Sequence, residues 1–113
     1  MTKTLEHFEA MDFNKLLIEL KKLASNAEQE AIFAEHPQLR PDYDFKQDPK
    51  ITLRKSVEKS LRIMLEMMML LMALEQKTEK CTMEEKATSL VLDLSNRIQN
   101  STKKTSDLYI DSK

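Results

Sequence analysis

The sequence predicts an all-α fold: a three-helix bundle, with a short N-terminal turn as a fourth element, completed as a homodimer. Three observations predict it. The 113-residue chain has no glycine and only three prolines, so tight hairpins and turns that need positive φ have few residues to use. Apolar residues recur at three-four spacing over long stretches, the period of a helix. Residues 61–74 carry only two charges, Arg62 and Glu66, and five methionines fall among residues 64–72. A single modest core has trouble hiding that much apolar surface.

The first helix is expected over residues 12–36. Phe13, Leu16, Leu17, Leu20, Leu23, Ala24, Ala27, Ala31 and Ala34 form its stripe. Asp12 is a good N-cap, with Met11 and Leu16 placed as a hydrophobic staple. Leu5 and Phe8 suggest a short turn ahead of it. Pro37 disfavours helical geometry in the residue before it and sets the stop. Residues 36–48 then read as an extended linker, because Pro37, Leu39, Pro41, Tyr43 and Phe45 alternate with mostly polar residues. An extended strap of this length spans roughly 43 Å, enough to return along the first helix and leave the first two helices parallel. The other reading is a loop whose Tyr43 and Phe45 plug one end of the core.

The second helix is expected over residues 49–80, opened by an Asp48 N-cap with Pro49 at the first helical position. Val57, Leu61, Met64, Met68 and Leu71 share one face, Ile63, Met67, Leu70 and Leu74 lie beside it, and Leu65 and Met72 lie further round. Arg62 and Glu66 mark its wet side. Thr82 and Glu85 read as a capping box that opens a third helix over residues 83–101, with Met83, Ala87, Leu90, Val91, Leu94 and Ile98 as its stripe. The rival is one uninterrupted rod from residue 49 to 101. One helical domain, residues 1–101, is thus followed by a flexible tail, residues 102–113, polar except for Leu108, Tyr109 and Ile110.

Composition excludes several functions. Eighteen Lys and Arg against 19 Asp and Glu give a formal charge of −1, so there is no electrostatic footprint for nucleic acid or an anionic membrane. The 14 residues 61–74 fall short of the roughly 20 that a membrane span needs. The lone Cys81 cannot form an internal disulfide, and the N-terminal residues lack a secretory signal layout, so a cytoplasmic setting is expected. No phosphate loop is available without glycine. His7 and His36 have no metal-ligand spacing around them. Asp42, Asp44 and Asp48 resemble part of a calcium loop but lack its glycine and its final glutamate. No catalytic, cofactor-binding or metal-binding residue is assigned.

What remains is association. Two neighbouring stripes cover about half of the second helix, and the remainder would invite aggregation if left wet. A two-fold homodimer is the commonest solution. Its expected contacts are Leu61, Met64, Leu65, Met68, Leu71 and Met72. Methionine also suits a groove for a client helix. The expected function is a small protein-interaction module, an adaptor, inhibitor, antitoxin-like regulator or chaperone, that meets a further protein partner through Tyr43 and Phe45 or through Leu108, Tyr109 and Ile110. The alternative is an all-α metal-dependent nucleotide hydrolase with carboxylate-bound magnesium. Glu6 with Glu9 and Asp12, Glu28 with Glu35, and Glu75 with Glu79 would be its acids, though they do not form two matched pairs.

Overall fold

The computed structural model describes residues 4–80 and 85–112, with side chains over residues 4–77 and 87–112. The described residues form α1 (Leu5–Glu9), α2 (Phe13–Glu35), one turn of 3-10 helix (Pro37–Leu39), α3 (Pro49–Lys80) and α4 (Glu85–Asp111), with no strand among them. The expected punctuation operates. The Asp12 side chain accepts from Lys15 N at 2.8 Å to open α2. At its far end α2 stops at Glu35, ahead of Pro37. Asp48 accepts from Lys50 N at 2.9 Å where α3 begins. Thr4 caps α1 by accepting from His7 N. The capping box at Thr82, Met83 in the third stripe, and Cys81 lie outside the described residues.

Cross-links between elements fix the helix directions. Arg40, just past the end of α2, bonds back to Glu30 and forward to Ser56 near the start of α3, while one groove is walled by Leu23 and Glu30 of α2 and by Glu66 and Lys59 of α3. α2 and α3 are therefore antiparallel, and the parallel arrangement is corrected. Residues 36–48 do not run back along α2. They close a compact reversal through the turns Tyr43 N to Arg40 O and Gln47 N to Asp44 O. Their Tyr43 and Phe45 point to solvent instead of plugging the core. Glu28 pairs with Arg97 and Glu35 with Lys104, so α2 and α4 are parallel and α4 lies antiparallel to α3. That geometry excludes the single rod from residue 49 to 101.

The last helix continues to Asp111, whereas the sequence reading stops it near Ser101. Most of the expected tail is thus helix. No glycine or proline interrupts it, and Thr102 and Thr105 are buried. By the register of the two ion pairs these threonines stand level with the alanine-rich half of α2.

The core tapers along a bundle of about 52 × 26 × 21 Å. At the α1 end Phe8, Leu16, Leu20, Met67, Leu70, Leu74 and Leu94 are buried together. Toward the strap the buried residues become small: Ala27, Ala31 and Ala34 of α2, Thr52, Ser56 and Ser60 of α3, Thr102 and Thr105 of α4. Small side chains let three helix backbones approach closely. The face that α3 buries is therefore Thr52, Ser56, Ser60, Met67, Leu70 and Leu74. The face running through Leu61 and Met68 is not the buried one. An apolar circumference hides which side meets the neighbours, and the serines and threonine mark it.

Candidate functional site

α3 has a second apolar face, and it is open. Leu61, Leu65, Met68 and Met72 are 55, 50, 56 and 50% exposed. Their spacing of four, three and four residues puts them on one line of a helix, covering about 16 Å of its axis. Met64 and Leu71 border the line half-buried, where it turns toward α4. All six expected self-association residues thus lie along one side of α3, four at its crest and two on its flank. Single exposed apolar residues are ordinary, but a line of four on one helix is a patch.

The other side of α3 is polar. Lys59, Arg62 and Glu66 face Asn26, Gln29 and Glu30 of α2 across a shallow groove of about 290 Å³. At the N-terminal end of α3 Arg54 pairs with Glu58 one turn on, at 3.4 Å.

Leu92 of α4 is a further exposed apolar residue. Arg97 and Lys104 reach α2 from one flank of α4, and Leu92 sits on the opposite flank, beside α3. Through the α2 register it stands level with residues near 66 of α3. It is exposed, as is Ile110, five turns further along the same line of α4.

The expected partner-contact residues fall in two places. Phe45 is 78% exposed and Tyr43 is exposed beside it. The strap that carries them is anchored by Arg40, which is nearly buried and donates from Nη1 to Glu30 Oε1 and to Ser56 Oγ, each at 2.9 Å, and from Nε to Asp42 Oδ1 at 3.0 Å. Its guanidinium also lies over the Phe33 ring, 5.4 Å from the centroid. Burial pulls the Arg40 pKa down, and the hydrogen bonds and charges of Glu30 and Asp42 outweigh it, for a net rise. This anchor is nearly invisible in the sequence. Its one signal was an arginine set between hydrophobic strap residues, without periodicity. In the second place, at the end of α4, Leu108 and Tyr109 are half-buried and only Ile110 is exposed.

Of the carboxylates that a metal centre would need, the Glu79 side chain lies outside the described residues, and the described ones are occupied or dispersed. Glu28 accepts from both Nε and Nη2 of Arg97, and Glu35 pairs with Lys104 at 2.7 Å. These partners hold both carboxyls below the usual range. Glu75 has a polar partner as well. Among the described residues no three His, Cys, Asp or Glu side chains gather to hold a metal ion. Several of the basic residues have acidic neighbours. Lys59 and Arg62 line the α2–α3 groove with Glu30 and Glu66, while Arg97 and Lys104 are spent on α2, and Lys103 shares a groove with Asp107. No helix among the described residues is long and apolar enough to cross a membrane. No family model, curated protein or solved structure matches this chain.

Proposed function

We propose that this chain is a helical protein-interaction module that pairs with a second copy of itself through the open face of α3 and uses its remaining surface, the strap foremost, to bind another protein. An adaptor, an inhibitor, an antitoxin-like regulator and a chaperone all fit that description. The observation that carries it is the line Leu61, Leu65, Met68 and Met72, half-exposed on one helix in the isolated chain. A two-fold pair would cover eight such side chains. Each has about half of its burial still to gain, so the gross gain is about 8 kcal/mol. Association costs about 4–15 kcal/mol, so the flanking Met64, Leu71 and Leu92 must contribute for the pair to be tight. Phe45, held out on an anchored strap, supplies the aromatic element that protein interfaces favour.

The test is molar mass by light scattering over a concentration series, on the unsubstituted chain and on Leu65→Glu/Met68→Glu. Both positions are exposed in the single chain, so the substitutions leave its core alone. The expected result is twice the 13.2 kDa chain mass for the first and the chain mass for the second, with unchanged helical circular dichroism. An unsubstituted chain that stays monomeric, or a doubly substituted one that stays dimeric, overturns the reading.

A further inference from the structure

Resting on that reading, we infer that Met68 and Met72 form a modification site, where a peroxide converts their thioethers to sulfoxides and turns the open face of α3 from apolar to polar while the bundle stays folded. Burial singles the two residues out. The methionines with described side chains grade from Met67, 3% exposed, through the half-buried Met11, Met64 and Met69, to Met68 and Met72 at 56 and 50%. A thioether has no proton to lose, so no neighbouring base or lowered pKa is needed to activate it, in contrast to a thiol. Access of the oxidant to sulfur makes the selection. The two accessible residues stand four apart and are neighbours on one line of the helix. They make up half of its open crest.

The oxidant alone balances the step. A sulfur lone pair attacks one oxygen of hydrogen peroxide, and the S–O bond forms as the O–O bond breaks. Sulfur loses two electrons, and after a proton shifts between the peroxide oxygens the other oxygen leaves as water. The product is a polar, chiral side chain. Met67 belongs to the buried core, and Met68 and Met72 do not, so oxygen on these two leaves the packing within the chain as it was. Contact between chains bears the change instead. Only Leu61 and Leu65 then remain apolar on the crest, and a sulfoxide covered there without a hydrogen-bond partner is costly. Covering and oxidation therefore exclude one another: a pair shields both sulfurs, and an oxidised chain pairs poorly. A methionine sulfoxide reductase restores the face, the oxygen leaving as water while two thiols join in a disulfide.

The test treats the full chain with millimolar hydrogen peroxide and follows sulfoxide at each methionine by peptide mass spectrometry, beside circular dichroism and light scattering. Met68 and Met72 are expected to oxidise about tenfold faster than Met67. The chain carrying these two oxygens keeps its helical signal, and its molar mass falls to that of one chain. Raising the chain concentration slows oxidation at both sites, because pairing covers them. Met68→Leu/Met72→Leu keeps the line apolar at nearly constant volume and is expected to stay paired under the same peroxide. Sulfoxide at Met67 as early as at Met68, or a helical signal lost with the first two oxygens, overturns the site. A pair that persists with both residues oxidised, or a leucine variant that dissociates as readily as the unsubstituted chain, overturns the coupling of oxidation to association. A chain that is monomeric before any peroxide is added brings down the pairing reading alone, and the order of oxidation then still decides the site.

Discussion

Arg40 shows how much one residue of a short connection can determine. Its guanidinium has left water for a site walled by Phe33, Glu30, Asp42 and Ser56, where three hydrogen bonds replace hydration. Taking the cation away would strand the buried Glu30, and losing one member of a buried pair is costlier than losing both. Arg40→Ala is therefore expected to destabilise the chain by about 3 kcal/mol, read from urea midpoints, and Arg40→Leu with Glu30→Leu by clearly less. Equal losses for the single and the double variant would show that the anchor acts through packing alone. None of this was visible in the sequence, because a single arginine among prolines and aspartates has no period to betray its burial. The neighbouring residues were half legible. Alternation marks Tyr43 and Phe45 as a pair, and both are exposed, but it suggests an extended strap because it cannot register the anchor that folds the segment into turns.

Among the helices, the starts were easier to read than the faces. Asp12 and Asp48 with Pro49 declare helix openings by local chemistry, and Pro37 declares a stop, so these boundaries follow from a few adjacent residues. Faces depend on distant neighbours. In α3 nearly every position from 61 to 74 is apolar, and periodicity cannot tell core from crest. The informative residues were the small ones. Ala27, Ala31 and Ala34 of α2 call for equally small or close-fitting partners, which Ser56, Ser60, Thr102 and Thr105 supply. The same polar appearance made residues 102–111 resemble a tail. A fully buried alanine has no room for a longer side chain, so Ala27→Leu is expected to cost about 1–3 kcal/mol. The control Ile32→Ala, on the exposed side of α2, is expected to leave the melting temperature nearly unchanged. Similar melting temperatures for both would mean that the small-residue end has slack.

At the scale of the whole molecule, charge ties the bundle together at places far apart in the chain. Glu28 with Arg97 and Glu35 with Lys104 clamp α2 to α4, and Asp42 with Arg40 closes the strap. All three carboxyls sit below their ordinary pKa, each chiefly through the hydrogen bond from its cationic partner. A depressed folded pKa adds stability above the unfolded value and loses it as pH falls through the folded one. Unfolded Asp and Glu take up protons at about pH 4, so urea midpoints at fixed chain concentration should hold steady from pH 7 to 5 and fall below about pH 4. Arg97→Gln should flatten part of that fall. A profile with the same steepness in Arg97→Gln would assign the acid sensitivity to other carboxylates.

The backbone of the described residues contains no position with positive φ and no cis peptide bond. Every reversal among them, the strap included, is built from conformations open to any L-residue. Where a loop demands glycine, drift of the sequence is blocked by sterics before packing has a say. Here no such veto operates. Exposed strap positions that hold no hydrogen bond in the anchor or its turns, Tyr43 and Phe45 among them, can exchange side chains, so the surface proposed to meet a partner can change its specificity over generations while the bundle that carries it stays the same.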